Sequence, residues 1–440
     1  MNYDLIITGG TLVNHDGVGA GDVGVREGKI VAIGDLGQAS AGQKIDASGL
    51  HVLPGVIDSQ VHFREPGSEA KEDLETGSRA AVLGGVTAVF EMPNTDPTTS
   101  TVDALQDKLD RAKGRMHCDH AFYGGATNDN AAHLADMERL AGCCGIKVFM
   151  GASTGSLLVS DDEGVARVLA NINRRAAFHS EDNDRLQARA ELAVAGDWTS
   201  HPIVRDAESA MLSTKRLIRL ARKAGKRIHV LHISTAEEIE YLARHRDIAT
   251  VEVTPQHLTL QSPECYEKLE GKAQMNPPIR SRAHRMGLWA GVRNGVVDVI
   301  GSDHAPHLLD QKQKPYPKSP SGMPGVQTLV PVMLDHVSKG RLSLQRFVDL
   351  TSAGANRIFG IANKGRMSVG FDADFTIVDL KANRLIEDEW IASKCQWTPF
   401  VGREVMGWPM MTVIRGQLVM RDDEVICEGA GHPIKFQESL

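Results

Sequence analysis

Five polar side chains stand at or near the ends of apolar stretches in this sequence. They are His62, Lys147, His179, His232 and Asp303, and their types are those that bind metals or transfer protons. Each alone has an ordinary structural explanation, such as a hydrogen-bonded core histidine or an aspartate that caps a helix. Five such residues at the same end of five predicted strands instead favour a metal site that activates water.

The first of these residues follows an apolar run at residues 52–57, which predicts a buried parallel strand. Side chains alternate along a strand, so Gln60, His62 and Arg64 are expected on one face. The pair Pro66 and Gly67 predicts the turn that ends the strand. In parallel α/β proteins the chemistry takes place at the C-terminal ends of buried strands.

Eight strand-like stretches alternate with helical ones across the middle of the chain. This alternation predicts a (β/α)₈ TIM barrel over residues 53–360. The alternative is a doubly wound open sheet, but no glycine-rich phosphate loop follows the first strand. The predicted strands lie at residues 52–57, 86–93, 118–123, 145–150, 175–179, 227–232, 250–254 and 296–300.

Short strands with glycine turns occur at both ends of the chain, in residues 1–52 and 361–440. We expect them to form one small β-sandwich domain, although two unrelated β segments would give the same pattern. A loop at residues 308–325, rich in Lys, Pro, Ser and Gly, follows the eighth strand. On a barrel this loop would lie over the active site, where it could act as a lid.

The composition narrows the class of protein. The chain has 440 residues and a net charge of −7, which gives no reason to expect a nucleic-acid partner. No signal peptide and no apolar run long enough to span a membrane are visible. The six cysteines contain no CxxC pair, which favours free thiols in a reducing, cytoplasmic protein.

Seven segments resemble one family, in its order along the barrel. The sequence resembles the amidohydrolase superfamily and, within it, the cyclic-amide hydrolases, most closely the dihydroorotases. The segments are HFREPG at 62–67, MPNT at 92–95, IKVFM at 146–150, HSED at 179–182, LHIST at 231–235, NPPIR at 276–280 and GSDHAPH at 301–307.

This resemblance implies a role for each of the five polar residues. Lys147 matches the lysine whose carbamate bridges two zinc ions. His179 and His232 match the ligands of one metal, termed β, while His62 and Asp303 match ligands of the other, termed α. Asp303 would also take a proton from the water and pass it to the leaving nitrogen. In some relatives an aspartate bridges instead, and Asp161 and Asp162 are the alternative candidates, although they look like a helix start.

One residue departs from the family pattern. The family has His-x-His where this chain has Gln60, Val61 and His62. A glutamine oxygen is a weaker zinc ligand than imidazole, and some superfamily deacetylases with Gln-x-His work with one metal. We therefore expect one firmly bound zinc ion, with Gln60 a weak ligand or none at the second site.

The resemblance also suggests the substrate. Arg64, Asn94 and His307 match residues that bind a substrate carboxylate, for which a guanidinium is well shaped. Asn276 would contact the pyrimidine ring, and Gly325, at the end of the lid, would also bind the substrate. The expected reaction is the reversible conversion of N-carbamoyl-L-aspartate to L-dihydroorotate.

The alternatives are an allantoinase or a hydantoinase-like hydrolase of another cyclic ureide, or a non-catalytic relative that serves as a structural partner of aspartate transcarbamoylase. A homo-oligomer, either a dimer or a tetramer, is expected in each case.

Overall fold

Eight parallel strands form the centre of the protein. The computed structural model describes residues 2–151 and 155–437. Neighbouring strands pair in chain order, and His62 N donates to the carbonyl of His304 at 2.7 Å, which brings the first and eighth strands together. The predicted TIM barrel is confirmed as a nearly closed barrel. Its strands are Val56–Val61, Val86–Glu91, Asp119–Gly125, Cys143–Phe149, Ala176–His179, Ile228–Val230, Ala249–Val253 and Val299–Ile300.

Helices surround this barrel because amphipathic stretches follow the strands. The longest, Ala207–Ala224, begins at Asp206, whose side chain accepts from Ser209 N, and ends at Gly225 in the left-handed region. No described helix is both long and apolar enough to cross a bilayer. The α-helices of five or more residues are Leu74–Leu83, Val102–Ala112, Leu134–Glu138, Asp162–Asn171, Asn183–Ala188, Ala207–Ala224, Ala236–Leu242, Pro255–Thr259, Glu264–Leu269, Arg282–Arg293, Leu329–Ser338, Leu344–Val348 and Gly354–Phe359.

Strands from both termini form two further sheets, which share one apolar cluster that includes Val25 and Phe375. The expectation that the two ends of the chain come together is confirmed. One sheet uses N-terminal strands alone, in the order Lys29–Gly34, Asp22–Arg26, Asn2–Thr8 and Ser40–Asp46. The other is mixed, in the order Glu424–Val425, Gln417–Arg421, Glu404–Ile414, Phe375–Leu385, His51–Pro54, Thr11–Asn14 and Gly17–Ala20.

The apolar run at residues 52–57 is not one strand, and here the sequence-based expectation was wrong. Its first part, His51–Pro54, pairs antiparallel with Phe375–Leu385 in the mixed sheet, and Val56–Val61 begins the barrel. The chain passes from the mixed sheet to the barrel at Gly55, where a Cβ atom would lie 2.2 Å from Thr87 Oγ1. Local periodicity does not reveal it, because both halves of the run are buried.

The N-terminal end of the barrel is covered by apolar side chains. Phe359, Ile434 and Phe436 belong to the same buried cluster as Phe90 and Tyr123 inside the barrel. The segment around residue 433 pairs with the start of the third barrel strand, at His120. The barrel interior is therefore filled by side chains at its N-terminal end, and space for a ligand inside the barrel remains at the opposite, C-terminal end.

The loop at residues 308–325 lies at that C-terminal end. It contains the short helix Leu309–Lys312 and returns beside His304. The backbones of His304 and Met323 form an isolated parallel β-bridge. The buried ammonium of Lys312 donates to the carbonyls of Gln274, Pro320 and Gly322, at 3.0, 2.7 and 2.7 Å. These three bonds fix the returning half of the loop in place.

Candidate active site

A cavity of about 90 Å³ opens at the C-terminal end of the barrel. Most of the residues singled out in the sequence line it together, although their positions span some 240 residues of chain. The lining residues are Gln60, His62, Arg64, Asn94, Lys147, Phe149, His179, His232, Asn276, Asp303, Ala305, Ser321 and Gly322.

Asp303 organises one side of the cavity, which we term the Asp303 half (Gln60, His62 and Asp303). Its Oδ1 accepts from Gln60 Nε2 at 2.9 Å and lies 3.1 Å from His62 Nε2. His62 Nδ1 lies 2.6 Å from Asn94 Oδ1 and donates to it. Burial lowers the pKa of His62, against the opposing effect of Asp303. The Nε2 lone pair of a neutral His62 would then face the Asp303 carboxylate, and the two would repel each other. A cation bound to both would remove this repulsion.

Two histidines form the other side, termed the paired-histidine half (His179 and His232). His179 Nδ1 lies 3.0 Å from His232 Nε2. Burial lowers the pKa of both rings, so both are neutral near pH 7. His179 Nε2 is 2.7 Å from Glu181 Oε2, and Arg205 forms an ion pair with that same carboxylate.

The Glu181 carboxylate determines which nitrogen of His179 can bind a ligand. Burial would raise the pKa of Glu181, but Arg205 and His179 lower it well below its usual range. The carboxylate therefore stays ionised and accepts the proton on His179 Nε2. The lone pair of Nδ1 then faces the cavity, as in carboxylate–histidine–metal arrangements.

Lys147 lies in the fourth strand, and it lines the same cavity as the residues of both halves. Its side chain is buried, and its Nζ has no hydrogen-bond partner among the described residues. The ammonium lies 4.5 Å from the centre of the Phe149 ring. Burial lowers the pKa of Lys147 to about 7, opposed by Asp303 and Glu252. A large fraction of this amine is therefore neutral at neutral pH.

The side chains that line the cavity fit a metal ion only when lysine and glutamine are counted along with the usual ligand types, His, Cys, Asp and Glu. Within the described residues, no three His, Cys, Asp or Glu side chains form a group that could hold a metal. Lys147 Nζ, Gln60 Oε1 and His232 Nδ1 are nevertheless buried polar atoms without a partner. Unsatisfied polar atoms are costly in a protein interior, and here all three belong to residues that line one cavity.

Three cavity residues have unusual backbone angles where their strands end. Arg64, His232 and Asp303 have φ values of 66°, 36° and 47°. Residues other than glycine rarely adopt this left-handed region, because each one that does so costs roughly 1–3 kcal/mol. Such strain concentrates at functional sites because it directs a side chain into a cavity.

Arg64 supplies the positive charge at the mouth of the cavity. Its guanidinium donates to the carbonyl of Pro306 at 3.3 Å and lies 3.3 Å from His307 Nε2. Burial lowers the pKa of Arg64 to about 10, so the group stays charged. Glu65, one possible ion-pair partner, binds Arg115 instead, at 2.8 Å.

Several predicted residues lie outside the cavity lining. Gly325 does not line it, and its N donates to His304 Nδ1 at 3.1 Å, whereas Ser321 and Gly322 of the same loop do line it. His307 reaches the site through Arg64. The alternative bridging residues are structural: Asp161 caps the helix Asp162–Asn171, and Asp162 pairs with Arg219 at 2.5 Å.

Sequence reasoning missed two side chains with clear roles. Phe149 lies beneath the Lys147 ammonium, and Glu181 orients His179. Both stand two residues after a residue that was singled out, on the same strand or just beyond it. The spacing i, i+2 places side chains on one face, and this signal could have identified both.

Comparison with known proteins agrees with this geometry. The model of the amidohydrolase family matches residues 51–419. A dihydroorotase of Methanothermobacter thermautotrophicus is 35% identical over 418 residues, covering 94% of each chain. An allantoinase of Rubrobacter xylanophilus is 34% identical over 450 residues, covering 99% of this chain and 98% of the relative.

A solved structure gives the same answer for the fold. The L-hydantoinase (dihydropyrimidinase) from Arthrobacter aurescens superimposes with a TM-score of 0.94 at 31% identity, covering 98% of this chain and all of that one. The match extends over the terminal sheets as well as the barrel. The chain therefore belongs to the amidohydrolase family, and it is a hydrolase that acts on cyclic amides.

Proposed function

We propose that this protein is a zinc-dependent dihydroorotase, which interconverts N-carbamoyl-L-aspartate and L-dihydroorotate in pyrimidine biosynthesis. The observation that supports this substrate is Arg64, a charged guanidinium at the cavity whose hydrogen-bond partners are neutral. Among the described residues it forms no ion pair, so it can receive the carboxylate of dihydroorotate in a bidentate geometry. Hydantoin has no such group.

His179, His232 and Lys147 would hold the first zinc ion, and His62 and Asp303 would hold a second. A bound zinc ion supplies a water of lowered pKa and polarises the amide carbonyl. Lys147 would bind as its carbamate, which forms when a neutral amine adds to CO₂. The lowered pKa of Lys147, caused by its burial, supports this modification because only the neutral amine reacts.

Asp303 is the residue proposed to move the proton. In the hydrolytic direction the water oxygen attacks the ring carbonyl carbon, and Asp303 accepts the proton that the water loses. When the ring C–N bond breaks, Asp303 returns this proton to the departing nitrogen. Gln60 donates to Asp303 Oδ1 and holds it in place, which leaves Oδ2 for the proton.

Arg64 and Asn94 would orient the substrate. Arg64 would bind its carboxylate, and Asn94, which already accepts from His62, can donate its amide N–H groups. Asn276 lines the same cavity, and its Oδ1 has no partner among the described atoms, so it can accept from a ring N–H. These contacts would hold the ring amide beside Asp303.

A substrate panel tests the proposal. Freshly purified protein with measured zinc content should turn over dihydroorotate with a kcat/KM well above that for hydantoin, dihydrouracil and allantoin. A clear preference for an uncharged ureide would refute the dihydroorotase function and favour the hydantoinase or allantoinase alternative, which the relatives also represent. No turnover by zinc-loaded protein would favour the non-catalytic alternative. The homo-oligomer, the cytoplasmic location and the association with aspartate transcarbamoylase stay predictions.

A further inference from the structure

A buried carboxylate lies inside the barrel, beneath the candidate active site. Glu252 belongs to the seventh strand, Ala249–Val253, and its side chain is fully buried. Within the described part of the chain no lysine or arginine forms an ion pair with it, and His229 Nε2 lies 3.7 Å from its Oε2, beyond hydrogen-bond distance. A buried charge without a paired cation is costly, and this cost indicates a role beyond packing.

Glu252 connects the strands that carry the two halves of the site. Its Oε2 accepts from Ser59 Oγ at 2.7 Å, and Ser59 directly precedes Gln60 in the first strand. Its Oε1 accepts from the backbone N of His232 at 3.4 Å. His232 is one of the residues with a left-handed backbone. One carboxylate therefore contacts a neighbour of the Asp303 half and a member of the paired-histidine half.

The end of the eighth strand leaves room for this carboxylate. A Cβ atom at Gly301, two residues before Asp303, would lie 2.6 Å from Glu252 Oε2 and 2.8 Å from its carboxyl carbon. A side chain at position 301 would therefore displace Glu252. The carboxylate lies against three segments of backbone, which lead into Gln60, His232 and Asp303.

The charge of Glu252 acts on the cavity above it. Burial lowers the pKa of Lys147, and the charges of Asp303 and Glu252 oppose this effect. Lys147 and Asp303 line the cavity, whereas Glu252 does not. Charges interact over several ångströms in a protein interior, because little water screens them there. A carboxylate behind the cavity wall can therefore stabilise a cation without touching it.

We propose that Glu252 is a positioning residue of the metal site, which holds Ser59 and His232 in place and whose charge strengthens zinc binding in the cavity. This inference rests on the proposed function, which supplies the zinc ion. Glu252 is not itself a ligand, since its two oxygens accept from Ser59 and His232 and it lies outside the cavity lining. Its role differs from that of Glu181, which fixes the tautomer of His179.

Glu252→Gln removes the charge and keeps the shape. The glutamine oxygen can accept from His232 N, and its amide can donate to Ser59 Oγ, because a hydroxyl rotates to accept as well as to donate. Zinc affinity, measured by competition with a chelator, should fall about 10-fold, at the lower end of the effects seen when partners behind metal ligands are changed.

Glu238→Gln is the matched control. Glu238 is also buried, and its carboxylate accepts from Thr214 Oγ1 and Thr235 Oγ1, both at 2.8 Å, outside the cavity lining. This variant loses a buried carboxylate with similar partners, so its zinc affinity should equal that of the unmodified protein.

Thermal unfolding of the metal-free proteins separates charge from packing. The Tm of metal-free Glu252→Gln should be unchanged or higher, because an unpaired buried charge is removed, whereas a purely structural role would lower it. A lower Tm, or a zinc affinity equal to that of the unmodified protein, would overturn the role of Glu252 alone. An unmodified protein that binds no zinc would overturn the proposed function and this inference with it, so the two failures are distinguishable.

Discussion

The two halves of the candidate active site satisfy their polar atoms in different ways. In the Asp303 half, the Asp303 carboxylate accepts one hydrogen bond from Gln60 Nε2 and faces His62 Nε2 at 3.1 Å. In the paired-histidine half, two neutral imidazole nitrogens face each other at 3.0 Å. Among the described residues no carboxylate contacts these two nitrogens, and the Glu181 carboxylate lies behind His179.

This difference indicates which half is better prepared for a cation. Glu181 fixes the orientation and tautomer of His179, so the paired-histidine half presents nitrogen lone pairs in advance. The Asp303 half presents one histidine, one carboxylate and the weakly coordinating Gln60 oxygen. We therefore expect the paired-histidine half to bind zinc first. Four predictions test this comparison, from the largest expected effect to the smallest.

The largest effect should come from Lys147, which both halves would share. Lys147→Ala should abolish zinc binding and turnover, because the carbamate would be a ligand of both metals. Metal analysis and dihydroorotate turnover measure this. Lys147→Met, which refills the space without a nitrogen, should fail equally, and short carboxylic acids should partly rescue the Ala variant. Full activity in the Ala variant would exclude the ligand role.

Arg64→Asn should cost about 2–4 kcal/mol of carboxylate recognition, because a charge-assisted bidentate pair is lost. The kcat/KM for dihydroorotate should fall by that amount, and the kcat/KM for hydantoin should change little. Arg115→Asn is the matched control, since Arg115 binds Glu65 outside the cavity. Equal losses on both substrates would show that Arg64 does not recognise a carboxylate.

Glu181→Gln should weaken zinc binding by about 10–100-fold, because the side chain behind His179 loses the charge that fixes its tautomer. Competition with a zinc chelator measures this affinity. Glu75→Gln is a matched control, since Glu75 contacts His117 at 2.9 Å in a similar histidine–carboxylate pair away from the site. An unchanged zinc affinity in Glu181→Gln would remove the basis for ranking the paired-histidine half first.

Gln60→His should have the smallest effect on the protein as a whole, raising bound zinc from about one toward two ions per chain. The imidazole would replace a weak oxygen ligand in the Asp303 half. Zinc titration of both dialysed proteins measures the change. Two tightly held zinc ions in the unmutated protein would contradict the prediction and would show that Gln60, or another group, already completes that half.

Much of the fold could be predicted because the barrel strands are buried on both faces and alternate with amphipathic helices. The pattern identified all eight strands, although the first begins only at Val56, and the sixth and eighth are shorter than expected, at Ile228–Val230 and Val299–Ile300. The exchange of sheets at Gly55 could not be predicted. It depends on close packing against Thr87 and Asp374, which are 32 and 319 residues away in sequence.

The site was predicted less evenly. Residues at strand ends, such as His179 and Asp303, were identified because the ends of parallel strands meet at one edge. The lining residues of the loop after the eighth strand were not identified, because a loop has no fixed periodicity. Gly325 was expected to contact the substrate, yet Ser321 and Gly322 line the cavity, since the Lys312 ammonium fixes the path of that loop.

The sequence by itself determined the strand-and-helix alternation and the chemical types at the strand ends, because both depend on local periodicity and side-chain identity. Only the tertiary structure decided which atoms meet. It turned His179 Nδ1 toward His232 Nε2 and placed Glu181 behind that pair. The contact between His179 and His232 joins residues 53 positions apart in the chain, and its distance is set by barrel closure and packing, which no local pattern encodes.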